Sequence, residues 1–435
     1  MSAPDGSASS ATMRGRTALW AYLLAEVVST TGTRMSMVAI PWFVLTTTGS
    51  AATTGLVAFA EMLPYVIALA LGGPVVDRFG AWRVAVVAGC VSAAFVALIP
   101  VLYATGSLVI TVLVALVAGA GAIRGLEMSS YVLVPGLAEG AGMPIARATG
   151  LHDGMNRAAT MLGVPLAGVL IAVSSAPAVV AIDAASFLVA AVLLAVFVPR
   201  SAQPPQAEPR PDGVSGTQAY VADLKDGMRF LSGDRLLLSI GVMVLLTNLF
   251  DMAYSAVLTP VWVHDELGSP VGLGLIGGVF GIGAVVGSSL FAWLGPRLPR
   301  RRSYAWGFLI GGSPRFFVLA LAVVLPPVLG VSLVAGVAVG AINPALAATE
   351  YERIPRALQA RVIGALGAVA TAGMPIGGLV GGFGVSRFGL HTAAIALGCA
   401  YLLTTLAPFV FTVWRQMDHP ALTAPPAPGT VAEAA

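Results

Sequence analysis

Twelve stretches of about twenty or more mostly apolar residues follow one another along this chain, many separated by only a few residues. A run of roughly 20 apolar residues spans the hydrocarbon core of a bilayer as a helix. Lipid offers no water to satisfy the backbone, so such runs fold as spanning helices packed into a bundle. The predicted segments lie near 17–44, 53–75, 82–104, 108–134, 149–174, 177–198, 236–262, 271–294, 303–325, 328–348, 361–386 and 391–414. Composition agrees, with 57% of residues hydrophobic and 10% charged, where a soluble domain carries about 25% charged. The expected fold class is an all-α membrane protein with twelve transmembrane helices.

The joints Thr46–Ser50, Ala104–Ser107, Ser174–Pro177 and Pro326–Pro327 carry no Lys or Arg and fall on one side of the membrane. The other side holds Arg14, Arg16, Arg78, Arg83, Arg147, Arg200, Lys225, Arg229, Arg300, Arg301, Arg302, Arg361 and Arg415, among others. The excess of positive charge marks that side as cytoplasmic, with both termini inside and the chain in a bacterial-type plasma (inner) membrane. Arg387 alone breaks the pattern among the clearly outer loops. The first apolar run is too long for a signal-peptide core and lacks a cleavage site, so it inserts as an uncleaved helix.

The one long interruption divides the chain. Residues 1–16 read as a disordered cytoplasmic tail, 17–198 as a first six-helix bundle and 236–414 as a second. Between them, 199–235 opens with a Pro-, Gln- and Ala-rich linker. Tyr220, Val221, Leu224, Met228 and Leu231 then recur at helical spacing, the pattern of an amphipathic helix in the membrane interface. Residues 415–435, rich in Pro and Ala, form a second disordered cytoplasmic tail.

Several function classes fall away. A net charge of +3 without a basic, aromatic-interleaved tract gives no support to nucleic-acid binding. Cys90 and Cys399 lie in separate apolar runs and the four histidines are scattered, so neither a disulfide framework nor a metal site is expected. No Gly-x-x-x-x-Gly-Lys-Ser/Thr loop is present to bind ATP. No nucleophile, base or metal ligands cluster as an embedded enzyme requires.

The halves repeat each other. Segment 5 reads Gly163-Val164-Pro165-Leu166-Ala167-Gly168 and segment 11 reads Gly373-Met374-Pro375-Ile376-Gly377-Gly378. Matching Gly/Pro interruptions in two halves point to a transporter built from repeats, and these small residues are candidates for close helix packing.

The loop after segment 2 carries Gly73-x-x-x-Asp77-Arg78-x-Gly80-x-x-Arg83. With Ile40–Leu45 at the first exit, Ile182–Phe187 in segment 6, Asn343-Pro344 and Arg361-Val362-x-Gly364, the chain resembles the major facilitator superfamily. Within it the match is to the drug and siderophore efflux branch, the macrolide- and enterobactin-exporter-like members. Two departures stand out: Val164 and Val169 replace residues of the branch's antiporter signature, and the second-half loop from Gly295 to Arg302 lacks an Asp. The resemblance implies two pseudo-symmetric six-helix bundles acting as a monomer by alternating access. It places segments 1, 4, 7 and 10 around a central cavity, and makes the Gly73–Arg83 loop a cytoplasmic gate. In that gate Asp77 approaches the start of segment 11 near Arg361, and Glu139 is a candidate partner for Arg78 or Arg83.

Charged residues inside a bilayer cost about 2.5–3.5 kcal/mol each on insertion scales, so they are functional candidates. Glu26, Glu61, Glu127 and Asp251 are candidate proton carriers, because burial raises a carboxyl pKa while a nearby Arg lowers it. Arg34, Arg124, Asn248 and Asn343 are candidates for the cavity and its charge pairs. Counted from the helix ends, Arg34 and Glu61 lie at similar depth and form a candidate ion pair. Asp183 reads as structural, and Arg315 has no evident partner. Met243, Phe250, Met252, Tyr254 and Trp262, with Trp20, Tyr22, Met35 and Met37, line an adaptable pocket or face lipid. The expected function is proton-coupled export of an amphipathic small molecule, with the proton gradient as energy source and no cofactor. An importer of nutrients and a non-transporting sensor are the alternatives.

Overall fold

The computed structural model describes residues 6–202 and 216–418. The described residues are helical and contain no strand. The first helix, α1, is Gly6–Thr48. Eleven more are long and apolar enough to cross a membrane: α2 Ala51–Leu71, α3 Ala81–Ala104, α4 Ile110–Gly140, α5 Ile145–Val173, α6 Ala176–Phe197, α7 Arg235–Leu267, α8 Val271–Leu294, α9 Arg300–Leu321, α10 Leu325–Arg353, α11 Gln359–Phe388 and α12 Leu390–Val410. Helix α1 falls outside that set because Glu26, Arg34 and the run Ser29–Thr33 dilute its apolar stretch.

Helices α1–α6 pack as one bundle, with α1 against α5 and α6, α2 against α4, and α3 against α4 and α6. In the second half α8 packs on α10, α9 on α12, and α7 on α11. The halves meet through α2 on α11 and α5 on α8. Turns such as Gly49–Ser50 and Ser174–Ser175 define one end of the bundle, here the joint face. The opposite end, the terminal face, carries the linker helix Gly216–Gly233 and a short loop helix, Gly73–Phe79.

Two expectations, both about the tails, need correction here. Residues 6–16 continue α1 as helix instead of trailing as a tail, and within them Gly15 sits so close to the backbone of Gly140 that a side chain would not fit. Residues 415–418 are ordered too: Asp418 accepts a 2.9 Å hydrogen bond from the Arg301 backbone N–H, while neighbouring Trp414 stacks on Tyr304. The linker helix docks on protein. Gly227 is pressed against the backbone of Arg361 and Leu231 is 1% exposed, leaving Val221 and Met228 facing outward. The remaining stretches assigned to tails and linker, 1–5, 203–215 and 419–435, lie outside the described residues.

The loop helix ends at Gly80, whose φ of 85° and ψ of 138° lie where a Cβ is strained. Gly80→Ala is expected to cost about 1–3 kcal/mol, visible as a lowered melting temperature of the purified protein. An unchanged melting temperature would show that the loop relaxes around the side chain. Two residues on, Trp82 donates its indole N–H to the Val198 carbonyl at 2.9 Å, tying the loop to the end of α6.

Candidate functional site

Helix α7 does not run as an ideal helix through the middle of the bundle. Pro260 lacks the N–H that would bond the carbonyl four residues back. The chain answers with a π turn over Tyr254–Leu258 and a second over Val263–Leu267, closed by Gly268 at φ 61°. This brings Tyr254, Thr259 and Pro260 to the wall of a cavity of about 720 Å³ between the halves. Helices α1, α2, α5, α8, α9 and α10 supply the rest of the wall, including Arg34, Glu61, Arg157, Phe280, Arg315 and Asn343.

Glycines close the cavity toward the joint face. A Cβ on Gly168 of α5 would lie 2.7 Å from the backbone N of Gly274 on α8. A Cβ on Gly378 of α11 would lie 2.9 Å from the carbonyl oxygen of Gly55 on α2. Nearby, the Ala52 N–H donates to Ser386 Oγ at 2.9 Å. Backbone meets backbone across the two halves, the closeness that small residues permit between membrane helices.

Two ion pairs flank the cavity. Arg124 of α4 pairs with Glu61 of α2. Arg315 of α9 reaches Asp251 of α7 at 2.6 Å, and its guanidinium lies 4.9 Å from the Tyr254 ring centroid and 5.1 Å from that of Phe280. Stacking on aromatic faces suits a planar cation in a low-dielectric site. The expected Arg34–Glu61 pair is therefore wrong: equal depth placed the two residues level, but Glu61 turns toward α4. Arg315, without a partner in the sequence reading, belongs to one of the two pairs.

A third cluster lies in the first half. Ser130 donates to a Glu26 carboxylate oxygen at 2.9 Å, and His152 Nε2 lies 3.9 Å from the other oxygen. Tyr22 stacks on the His152 ring at 6.0 Å between centroids, and Tyr131 meets it edge-on at 5.0 Å. Glu127 is within electrostatic reach of Glu26, Arg124 and Asp183. His152 carried no signal in the sequence, since a lone histidine near a segment start looks like any other. Asp183 is 1% exposed and abuts Gly32 of α1, where a Cβ would lie 2.5 Å from its Oδ1.

The sequence profile of the Major Facilitator Superfamily matches residues 22–250 and 240–433. The chain belongs to the Major Facilitator Superfamily. It is 30% identical over 402 residues to the multidrug efflux pump Tap of Mycobacterium tuberculosis (strain ATCC 25618 / H37Rv), covering 91% of this chain and 94% of that protein. The Tap pump of Mycolicibacterium fortuitum is 27% identical over 91% of this chain and 96% of its own length. Among solved structures, the nucleoside transporter NupG superposes with a TM-score of 0.68 at 13% identity, covering 91% of this chain and 99% of that one. A bacterial homologue of the human lysosomal transporter Spinster gives 0.64 at 14% identity, covering 92% and 94%. At such identities the likeness concerns the fold alone.

In this superfamily member the charged groups of the signature loop stand apart from α11. Asp77, Arg78 and Arg83 are exposed, and none makes an ion pair among the described residues. Arg361, expected near Asp77, is taken by the linker helix: its guanidinium lies 2.9 Å from Asp223 and 3.3 Å from Asp226. The same helix reaches the first half, where the Tyr220 hydroxyl donates to the Ala70 carbonyl and the Tyr220 ring covers Gly73. Burial against that surface pushes the Tyr220 phenol above its ordinary pKa. The linker helix thus touches both halves, at the start of α11 and at the end of α2. Asn248 is also displaced from its expected role. It donates to the Ala370 carbonyl at 2.8 Å and joins α7 to α11 instead of lining the cavity. Gly163 lies against Arg34 and Thr31 of α1, Pro165 against Gly274 and Gly278 of α8, and Gly373 and Gly377 against Leu245 and Leu249 of α7.

Proposed function

We propose that this protein exports amphipathic small molecules of the drug type by proton-coupled antiport, rocking its two halves about the central cavity. The observation that carries the reading is a mid-bundle cavity, shut by glycines toward the joint face, with a carboxylate–guanidinium pair on each half. The 30% identity to pumps named for multidrug efflux supports the substrate class. The terminal face, rich in arginine, is the cytoplasmic one, and the protein acts as a single chain in the plasma membrane. When the halves rock, an acid parted from its arginine in an apolar interior takes a proton, and re-pairing expels it. Glu61 and Asp251 are so placed, while Glu26 beside His152 and the neighbouring Glu127 complete the candidate carriers.

The test is flux in inverted membrane vesicles under an imposed pH gradient, read with anionic, neutral and cationic amphipathic dyes. The parent should accumulate at least one dye with the gradient. Glu61→Gln and Asp251→Asn are each expected to lower the gradient-dependent rate at least tenfold, with Glu26→Gln as the third arm. Full rates in all three variants would remove the proton-carrier assignment, and gradient-driven loss of dye from the vesicles would make the protein an importer.

A further inference from the structure

The cavity wall presents three guanidiniums, those of Arg34, Arg157 and Arg315, against one carboxylate, that of Glu61. Two of these four charges are already answered: Arg124 holds Glu61 and Asp251 holds Arg315. Arg34 and Arg157 are not. Among the described residues neither has an acid within 4.0 Å, and the Arg34 guanidinium donates a hydrogen bond to Met37 Sδ at 3.6 Å. An unpaired cation inside a bilayer costs about 2.5–3.5 kcal/mol on insertion scales and is retained where it meets an anion or water.

The fold holds Arg34 in this place. Gly163 of α5 lies so near its stem that a Cβ there would come 2.6 Å from Arg34 Cβ. Arg157 sits six residues earlier on that helix, on the order of 9 Å toward the terminal face. The remaining wall is adaptable and apolar, with Met37, Met62, Met161, Met252 and Phe280. Methionine side chains reshape around varied apolar bodies, while a guanidinium fork binds a carboxylate through two parallel N–H donors.

From this we infer that the cavity is a carboxylate subsite joined to an apolar chamber, and that the preferred cargo is an amphipathic carboxylic acid anchored by Arg34 and Arg157. The inference rests on the transport reading above and adds the charge of the cargo to it. A neutral molecule of the same shape leaves both cations unanswered, and a purely cationic one adds a like charge.

Two probes differing in a single group make the test: dansyl-phenylalanine, a carboxylate, and dansyl-phenylalaninamide, its neutral carboxamide. Their dissociation constants are measured by dansyl fluorescence on the purified full-length protein. Charge-assisted hydrogen bonds should make the carboxylate about ten- to a hundredfold tighter. Arg34→Gln should reduce that preference to within about threefold, Arg157→Gln should reduce it in part, and Arg34→Lys should keep much of it. A melting curve of each variant reports folding, and if Arg34→Gln does not fold the Arg157→Gln and Arg34→Lys pair decides. Equal affinity of the parent for both probes, or an undiminished preference in the folded glutamine variants, overturns the inference. The two readings fail separately. Gradient-driven movement of neutral or cationic dyes without any carboxylate preference sinks the subsite alone, whereas no movement of any dye sinks the transport reading.

Discussion

Asp251→Ala is expected to destabilise this protein more than removing Asp251 and Arg315 together. The single change leaves a guanidinium whose side chain is only 9% exposed without its carboxylate. Breaking a buried pair from one side costs about 3–5 kcal/mol. The low end applies here, because the Asp251 side chain is itself 39% exposed and water screens part of the charge. In the double variant Asp251→Ala/Arg315→Met no charge is stranded, and methionine fills much of the arginine's volume between Tyr254 and Phe280. Melting temperatures of the purified proteins should therefore rank parent and double variant close together, with the single variant clearly below. Gradient-driven flux should be lost in both. A double variant as unstable as the single one would show that the pair contributes packing that methionine does not replace, and retained flux in it would clear the pair of any part in transport.

The second large effect is expected at the glycine seam. Gly168→Leu places a branched side chain where a Cβ already falls 2.7 Å from the Gly274 backbone N and 2.9 Å from the Pro270 carbonyl oxygen. Backbone atoms have no rotamer to yield, so α5 and α8 must part and the joint face cannot close as it does here. Flux should drop at least tenfold while the protein still folds, because each half keeps its own core. Gly364→Leu is the control. Nothing lies within 4 Å of a Cβ there, and flux should stay within about twofold of the parent. A Gly168→Leu variant that transports at the parent's rate would mean that the seam does not take part in the cycle.

The membrane-spanning architecture was legible because the bilayer imposes a length that any apolar run must meet. The glycine and proline repeats of α5 and α11 were legible for a related reason, since close backbone approach admits few residue types. Charge pairing was not. Counting along a helix gives depth and leaves the azimuth undetermined, so Arg34 and Glu61 looked paired when Glu61 in fact faces Arg124. Asp251 and Arg315 stand 64 residues apart in sequence, and the π turns of α7 shift the phase on which any facing argument would depend. His152 gave no sign because its partners Glu26, Tyr22 and Tyr131 come from two other helices. The linker helix was not foreseen as the partner of Arg361, because the two carboxylates that hold it, Asp223 and Asp226, lie about 135 residues away in sequence.

The two π turns of α7 have a consequence for how this half is compared with its twin. Each uses more residues per turn than an α-helix does, so it acts like a residue inserted without a gap. Past Ala253 a position-by-position match of α7 to α1 therefore drifts out of phase, although the two helices hold equivalent places in the repeat. Side chains that share a column in a sequence alignment then face different neighbours. A homologue whose seventh helix lacks Pro260 and runs as a regular helix would turn different residues toward the cavity. Specificity in such relatives could then change by helix rotation, with no substitution among the residues that face the cavity here.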